Sequence, residues 1–413
     1  MSQELPGDGP RKGEADEGSL AYPGWRAVFV CFVMAVVCWG FGFYGHAFYL
    51  AELHRIHNWP TSLISTATTV YYLSAAVLVI FISDGLQKFG ARACTLIGAT
   101  AFAVSVAALP FVTAPSQVFA VYLVMALGWA TMSVGAITNI LGLWFRTKRG
   151  LAISLALNGA SFSGVVVVPA LVLATAATNF TATMLVSAAL ILLVMVPLAM
   201  KVLPARSLEP AAPHQNTPSA ANADKDWTRA RALRSRTFWS ISGPFSLSLL
   251  SQAGFLVHLI AFLEPNVGRN AAGLAMAVAT AMAIVGRLSL GMIADRTDQR
   301  LASTLSLVSQ AAALAVMIVT SSPTALFLAC AVYGFSVGNL ITFPALIIQR
   351  EFPSASFGMI VGLSTAITQF TYSFGPGLIG VVRDTAGSYT ASLLVCISLN
   401  LIAAAIVLRR PAG

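Results

Sequence analysis

Charged residues are scarce in this chain of 413 residues. Only 9% are Asp, Glu, Lys or Arg, whereas 57% are hydrophobic and the mean hydropathy is +0.80. This composition excludes a water-soluble domain built around one core. Three stretches, 93–145, 150–200 and 301–349, contain no charged residue at all. Each can hold two membrane-spanning helices of about 20 residues with a turn between them, so the sequence predicts a polytopic membrane protein.

Cysteine and catalytic residues are also sparse. The five cysteines lie in apolar segments, without the spacing of a disulfide framework or a zinc site. No nucleophile, base and orienting group occur at a recognisable spacing, so an enzyme is not favoured. We expect neither a metal nor a cofactor.

The gaps between charge clusters predict an all-α protein with twelve transmembrane helices. A gap of about 50 residues holds two spans, and each shorter gap holds one. The predicted spans are 25–51, 62–83, 93–112, 116–145, 150–176, 181–203, 237–263, 271–294, 301–321, 324–349, 355–382 and 386–408.

The distribution of basic residues predicts the orientation. If the N-terminus is cytoplasmic, all but four of the 24 Lys and Arg residues lie on the cytoplasmic side. Arg55, Arg269 and Arg383 would lie outside and Arg287 within a span, which follows the positive-inside rule. We therefore expect a multi-pass protein of the plasma membrane, the bacterial inner membrane being favoured, with both termini in the cytoplasm. The net charge of +9 is spread over several loops, which suits anionic lipid and not nucleic acid.

A polar stretch divides the spans six and six. The predicted organisation is a disordered tail (1–24), an N-terminal half (25–203), a cytoplasmic linker (204–236) that ends in a membrane-surface helix, and a C-terminal half (237–410).

Several features recur in both halves. His46 precedes Glu52 by six residues, and His258 precedes Glu264 by the same spacing. Asp84 and Asp295 close the second and eighth spans at a similar offset. A shared offset over hundreds of residues indicates duplication, and parallel repeats of six spans are typical of transporters whose site lies between the halves.

Arg287 is the most informative single residue because it lies inside the predicted span 271–294. An arginine near mid-membrane costs about 2.5 kcal/mol or more and keeps its proton, so it needs a partner or a wet cavity. We predict that it binds a substrate carboxylate. The alternative is a structural tether to helix-end carbonyls or to Asp295, from which about 12 Å of helix rise separates it.

Sequence motifs then give a family resemblance. The segment 83–92, SDGLQKFGAR, resembles the loop between the second and third spans of the major facilitator superfamily, and 291–296 resembles a degenerate second copy. The segments 144–152 and 158–160 and the pair Gly286-Arg287 are similar to the monocarboxylate and oxalate/formate transporter branch. The resemblance covers about residues 22–410. It implies two pseudo-twofold six-helix halves, in the major facilitator fold.

The resemblance also implies a cavity lined by the first, fourth, seventh and tenth spans, with parts of the second, fifth, eighth and eleventh. Polar residues concentrate in these spans, although each alone more often joins helices than binds a ligand. Where oxalate exchangers carry a lysine, this chain has Gln369 and Tyr372, which leaves one buried cation and favours a monoanion. The candidate substrate-binding residues are Arg287, Tyr44, His46, Tyr71, Tyr72, Asn139, Asn158, Gln252, His258, Asn339, Gln369 and Tyr372.

The loop motif predicts a gate. We expect Asp84, at a helix end, to pair with Arg92 or with the cluster around Arg149 and to separate as the halves rock. The candidate gating residues are Asp84, Arg92, Arg146, Arg149, Asp295 and Arg296.

Proton coupling has fewer candidates because no aspartate or glutamate lies deep in a span. The residues that can carry a proton are His46 and His258, inside their spans, and Glu52 and Glu264, at the span ends. The alternative for each histidine is a structural hydrogen bond to a neighbour.

The favoured interpretation is a secondary transporter, expected to be a monomer, that moves a small organic anion by alternating access together with a proton. A monocarboxylate is the favoured substrate. Three alternatives stay open, namely anion exchange of the oxalate/formate kind, efflux of a neutral or anionic compound, and a transporter-like sensor.

Overall fold

The computed structural model describes Glu17, Ser19 and residues 22–145, 147–204, 227–293, 297–353 and 356–409. Most of the predicted tail and linker lies outside these ranges. Within them the chain is helical and contains no strand. The α-helices are α1 (Gly24–Trp39), α2 (Gly45–His57), α3 (Thr61–Ile80), α4 (Ile82–Ala108), α5 (Pro115–Met132), α6 (Val134–Trp144), α7 (Arg149–Ala177), α8 (Phe180–Val202), α9 (Arg229–Arg234), α10 (Arg236–Val267), α11 (Arg269–Ile293), α12 (Gln299–Val319), α13 (Pro323–Leu340), α14 (Phe343–Glu351), α15 (Phe357–Tyr372), α16 (Gly375–Ala386) and α17 (Tyr389–Leu408).

In the described part of the chain, eleven helical segments are long and apolar enough to cross a membrane. The predicted span 355–382 is the twelfth. It is divided at Ser373 and Phe374 into α15 and α16, so neither piece alone has the required length. Pro376, in the first turn of α16, has no backbone N–H to continue the preceding helix. The predicted fold class, two six-helix halves of the major facilitator type, is confirmed.

Other breaks fall in the first, fourth and tenth spans. A π-helical segment, Gly40–Tyr44, separates α1 from α2. Ser133, with φ −81° and ψ −169°, separates α5 from α6, and Ile341 and Thr342 separate α13 from α14. A break inside a membrane frees backbone polar groups, which are tolerated where they line a cavity or lie inside protein. Three of the four spans expected to line the cavity are thus interrupted.

The loop motif 83–92 is itself helical. Helix α4 begins at Ile82, eleven residues before the predicted start of the third span, and bends sharply at Gly90. Gly90 has φ 81° and ψ 161°, in a region that residues with a Cβ rarely adopt. The glycine in this motif therefore sets the angle between the loop helix and the span.

The two halves have separate internal packing. In the N-terminal half, α1 packs on α7, and α4 packs on α5 and α8. In the C-terminal half, α11 packs on α13, and α12 and α10 pack on α17. Side-chain ridges of one helix pack into the grooves of the next in such contacts, so each half has its own helix packing.

The halves meet at one end and along the adjoining part of the spans. Helix α2 packs on α10, α3 on α16 and α7 on α11. We call this end, with the turns at Asn58, Gly268 and Gly387, the closed face. Toward the opposite end, the open face, α4 and α6 have no comparable packing on α9, α14 or α15 among the described residues. The structure is therefore a conformer with a gap between the halves at one face.

Small residues allow the close approach at the closed face. A Cβ on Gly380 of α16 would collide with Ser65 of α3, and one on Gly164 of α7 would lie 2.5 Å from Thr280 of α11. The backbone N–H of Gly377 donates to Thr69 Oγ1 at 3.0 Å. Small residues let helices pack at short distance in membranes, so these positions set how tightly the halves close.

We expect Gly380→Val to separate the halves at the closed face, because the new side chain cannot fit against Ser65. Spin labels at Ile56 and Ser388, both exposed there and on different halves, should report a longer distance by double electron–electron resonance. Gly362→Val, on the same span but facing open space, should leave that distance unchanged. An unchanged distance in Gly380→Val would contradict the role of this contact.

Candidate functional site

Arg287 lies between the two halves. On α11 of the C-terminal half, its Nε donates to the Gly338 carbonyl of α13 at 3.3 Å, and its Nη1 donates to Ser161 Oγ of α7 at 3.4 Å. Both acceptors are neutral, and none of the carboxylates that the structure describes forms an ion pair with it. The side chain is exposed within the gap. A permanent cation with two long, neutral contacts retains the capacity to bind an anion.

Aromatic rings continue from Arg287 across the interface. Tyr44 lies close enough to Arg287 for an electrostatic interaction, and its ring lies 5.0 Å from that of Phe43. The Phe43 ring is 6.1 Å from Tyr72, which lies 5.3 Å from Tyr372 of the C-terminal half. Gln369 Nε2 donates to the Tyr372 hydroxyl at 3.2 Å. Five of the predicted residues, Arg287, Tyr44, Tyr72, Gln369 and Tyr372, are thus brought together by the structure.

The predicted amides are more dispersed. Asn339 follows Gly338, the acceptor of Arg287, and its Oδ1 is buried without a hydrogen-bond partner in the structure. Gln252 is 4% exposed, and its Oε1 is likewise unpartnered. Asn139 donates to Gly135 O at 2.8 Å and, at 3.5 Å, to Ser83 of the second span, which fits a structural role. Asn158 is exposed on α7.

His46 lies in a pocket of tyrosines inside the N-terminal half. Its ring centroid is 4.6 Å from Tyr71, 4.7 Å from Tyr122 and 5.8 Å from both Tyr49 and Tyr72. The side chain is fully buried, and neither ring nitrogen has a hydrogen-bond partner in the structure. Among the described residues, therefore, no neighbouring group is hydrogen-bonded to this imidazole.

His258, the equivalent residue in the C-terminal half, is fully bonded. Its Nδ1 and the Tyr389 hydroxyl are 3.2 Å apart, and its Nε2 lies 3.2 Å from the Pro376 carbonyl at the break in the eleventh span. Since a carbonyl only accepts, Nε2 carries a hydrogen. His258 thus ties the seventh, eleventh and twelfth spans together.

Glu52 holds an ion pair across the halves. Its side chain is 3% exposed and accepts from Arg55, one turn along α2, at 2.6 Å and from Arg269 at the start of α11. Charge-assisted hydrogen bonds are strong when partly buried, so Glu52 fastens α2 to α11 at the closed face.

Glu264 lies beside this ion pair. It is half-buried and interacts electrostatically with Glu52, Arg269, Arg55 and His54. A cavity of about 410 Å³ lies between the halves at the closed face. Its lining includes Arg55, Arg383 and Glu264. Two of the four predicted proton-coupling residues therefore lie at the closed face, on opposite halves.

The predicted pairing of Asp84 with Arg92 or Arg149 is wrong for this conformer. Asp84 is exposed at the open face, and it forms no ion pair with any residue that the structure describes. Arg149 Nη2 instead donates to the Thr138 carbonyl at 3.3 Å. The physical reason is that both arginines bind backbone carbonyls instead, Arg92 that of Leu203 and Arg149 that of Thr138. Three other candidates, Arg146, Asp295 and Arg296, lie outside the described residues.

Arg92 caps a helix. Its Nε donates to the Leu203 carbonyl, at the end of α8, at 2.9 Å, where a cation complements the helix dipole. In the other half, Arg300 Nη1 donates to the Val407 carbonyl, near the end of α17, at 2.8 Å. Arg92, just before the predicted third span, and Arg300, just before the predicted ninth, therefore both bind a carbonyl at the end of the last helix of their own half. This shared role supports the predicted duplication.

Sequence reasoning missed several residues of this arrangement. Arg300 is 2% exposed and binds both carboxylate oxygens of Glu351, at 2.6 and 2.7 Å. Thr61 and Ser62 both donate to Asp384 across the halves. Ser161 follows the 158–160 motif directly, which is the one signal that pointed to it. The other contacts join residues more than 50 positions apart, and no local pattern marks them.

The fold and this interface define the class of protein. A helical membrane protein whose two six-helix halves pack together at one face and separate at the other, around an arginine that pairs with none of the described carboxylates, is a membrane transporter. The chain belongs to the Major Facilitator Superfamily, whose sequence profile matches residues 28–376.

Similar sequences include transporters from animals and bacteria. Monocarboxylate transporter 13 of Rattus norvegicus is 28% identical over 180 residues, which cover 41% of this chain and only 42% of that protein. Monocarboxylate transporter 11 of Mus musculus is 26% identical over 333 residues, covering 76% of this chain and 71% of its own length. An uncharacterised MFS-type transporter of Bacillus subtilis (strain 168) is 22% identical over 90% of this chain and 91% of its own.

Solved structures share the fold at low sequence identity. The nucleoside transporter NupG matches with a TM-score of 0.72 and 15% identity, over 93% of this chain and 97% of NupG. A bacterial homologue of the human lysosomal transporter Spinster, in an inward-facing and occupied conformation, matches with a TM-score of 0.73 and 13% identity, over 94% and 97% of the two chains.

We expect Glu52→Gln to weaken the closed face. The substitution removes the charge that Arg269 binds, and such bonds contribute about 1.5–3 kcal/mol. The labels at Ile56 and Ser388 should then show about a tenfold larger share of the separated state. Arg55→Gln removes a contact within α2 and a solvent-screened interaction with Glu264, from a side chain that is 50% exposed, and should have a smaller effect. If both variants raise the share of the separated state equally, the ion pair between Glu52 and Arg269 has no special role in closing this face.

The hydrogen bonds that Asp384 accepts from Thr61 and Ser62 across the halves should be insensitive to pH in the physiological range. Burial raises the pKa of this carboxyl, but hydrogen bonds from Ser62, Arg383 and Thr61 outweigh it and lower the pKa to about 2. Asp384 lies beyond the predicted end of its span. Because its pKa is depressed, its stabilisation is present above the usual value of 3.8 and is lost only as the pH falls through about 2.

The same two spin labels test this in Asp384→Asn. Between pH 5 and 8, we expect the variant to shift the populations by a constant amount relative to the wild type. A shift that grows or shrinks across this range would show that Asp384 titrates there.

Proposed function

We propose that this protein is a secondary active transporter of a small organic anion, a monocarboxylate, by alternating access with proton symport. The observation that carries the proposal is Arg287, a permanent cation between the halves with only neutral partners in the described structure. A carboxylate can bind a guanidinium through two parallel hydrogen bonds. The similarity to two monocarboxylate transporters supports the same substrate class.

The position of Arg287 also supports a transport mechanism. Arg287 donates to Ser161 of one half and to Gly338 of the other, so an anion bound to it would lie between the two halves. We propose that the substrate charge neutralises Arg287 and thereby lowers the cost of moving this interface through the apolar layer. The loaded transporter then changes conformation more readily than one with the bare cation.

We further propose that the open face is cytoplasmic. Most Lys and Arg residues, including those of α9, lie at this end, as the positive-inside rule requires of the cytoplasmic side. Both termini are then inside, in a plasma membrane, and this conformer faces inward. The closed face with Glu52 and Glu264 is exposed to the outside once it opens.

Glu52 is the strongest candidate for proton coupling. Protonation would remove the charge that holds Arg269, so a proton arriving from outside would stabilise the outward-open state, in which this pair is apart. Glu264 lies next to it and can share the proton. His46 and His258 remain candidates, His46 because it is unpartnered and His258 because it contacts Tyr389, which lines the cavity at the closed face.

The proposal predicts proton-driven uptake that depends on Arg287. Purified protein in liposomes should accumulate a labelled monocarboxylate under an inward proton gradient, and Arg287→Gln should lower uptake at least about tenfold, through loss of a bidentate charged contact. Arg287→Lys keeps the charge without the fork and should retain partial activity. Arg234→Gln, at an exposed arginine of α9, is the matched control and should match the wild type.

Other outcomes separate the alternatives. Oxalate–formate exchange without a proton gradient would replace symport by anion exchange. Uptake that is unaffected in Arg287→Gln would contradict the anion site. Loss of the gradient dependence in Glu52→Gln, but not in His46→Gln and His258→Gln, would assign coupling to Glu52.

A further inference from the structure

The surface next to Arg287 is aromatic. Phe43, Tyr44 and Tyr72 come from the N-terminal half and Tyr372 from the C-terminal half, with successive ring centroids 5.0, 6.1 and 5.3 Å apart. The pairs Phe43–Tyr44 and Tyr72–Tyr372 are edge-on, with interplanar angles of 86° and 68°. We call these four residues the ring cluster. Like the contacts of Arg287, the ring cluster crosses the interface.

Part of the ring cluster is uncovered. Phe43, Tyr44 and Tyr372 are half-buried, whereas Tyr72 is 1% exposed with a hydroxyl that has no hydrogen-bond partner in the structure. Tyr44 is within electrostatic range of Arg287, so the uncovered rings and the cation belong to the same part of the interface between the halves. Aromatic surface beside a cation, inside a protein, favours a ligand with both an anionic and an apolar part.

The ring cluster is held in place before any ligand binds. Gln369 fixes the Tyr372 hydroxyl at 3.2 Å, and Thr371 and Ser373 on either side donate to carbonyls one turn earlier in the same span. Tyr72 packs against both Phe43 and Tyr372. A fixed edge-on arrangement leaves ring faces available for a further aromatic ring, and each aromatic pair contributes about 0.5–1.5 kcal/mol beyond area burial.

A small aliphatic acid would use little of this surface. Acetate or lactate would satisfy Arg287 but leave the rings uncovered. An amino acid would also bring an ammonium group, which needs a carboxylate partner near the site. None of the described carboxylates forms an ion pair with Arg287, so the structure shows no such partner beside the cation. The arrangement best matches a ligand with one carboxylate, no positive charge and a flat apolar group.

We propose that the substrate is an aromatic monocarboxylate, bound with its carboxylate on Arg287 and its ring among Tyr44, Tyr72 and Tyr372. This inference rests on the proposed function and names the substrate class of the same site.

The test compares ligands that differ only in the ring. Phenylacetate, cyclohexylacetate and acetate are titrated calorimetrically into the purified wild type, and their uptake is measured in proteoliposomes. Phenylacetate should bind about tenfold more tightly than cyclohexylacetate, which has similar bulk without aromatic character, and more tightly still than acetate.

Variants of the ring cluster should remove this preference. Tyr372→Leu should weaken phenylacetate binding about three- to tenfold and weaken acetate binding less, so that the preference for the ring falls, whereas Tyr372→Phe should keep the preference. Tyr44→Leu serves as a second variant if Tyr372→Leu does not fold. Phe111→Leu removes a ring that is 61% exposed in a 3₁₀ turn after α4, and should behave as the wild type.

The outcomes distinguish the two proposals. Arg287-dependent binding of acetate or cyclohexylacetate as tight as that of phenylacetate would overturn the aromatic substrate and leave the anion transporter intact. Tyr372→Leu and Tyr44→Leu variants that retain the full preference would also overturn it. Binding of all three acids that is absent, or independent of Arg287, would overturn both.

Discussion

The structure depends on where a permanent positive charge can reside in an apolar layer. Arg287 cannot lose its proton, and its position inside a span makes isolation in lipid costly by about 2.5 kcal/mol or more. The fold places it between the halves, with a serine from one half and a carbonyl from the other. Those contacts are long and neutral, so the charge is accommodated without being neutralised. A substrate anion would complete the interaction.

The two faces are built from different interactions, which suits a reversible closure. At the closed face, small residues bring backbones close, and the charged contacts of Glu52 and Asp384 join the halves near water. At the open face, Asp84 forms no ion pair with any residue that the structure describes, and α4 and α6 lack comparable packing on the opposite half. When such a polar contact near the membrane surface breaks, water replaces the protein partner, and the free-energy cost is modest. Apolar contacts alone would offer no such exchange in lipid, where the hydrophobic effect between helices is absent.

Much of the fold was predictable because charge and hydropathy control the insertion of each span separately. The charge-free stretches predicted the spans, whereas the break in the eleventh at Ser373 and Phe374 appears only in the structure. The start of α4 was not predictable, because the polar loop motif is amphipathic and forms a helix on its own. In the site, Arg287, Tyr44, Tyr72, Gln369 and Tyr372 were found from polarity within spans. The partners were not, since Ser161, Gly338 and Asp384 act through contacts between distant segments.

The duplicated halves have diverged where they meet the interface. Arg92 and Arg300 keep the same capping role far from it. By contrast, His46 lacks any partner in the described structure, whereas His258 bonds at both nitrogens. Glu52 is held by two arginines, while Glu264 is half-buried beside a cavity. A purely structural pair of repeats would keep these contacts symmetric, because the packing demands are the same. We interpret this asymmetry as a division of roles at one shared interface, to which the N-terminal half brings most of the aromatic rings and Glu52, and the C-terminal half Tyr372, Arg269 and Arg287.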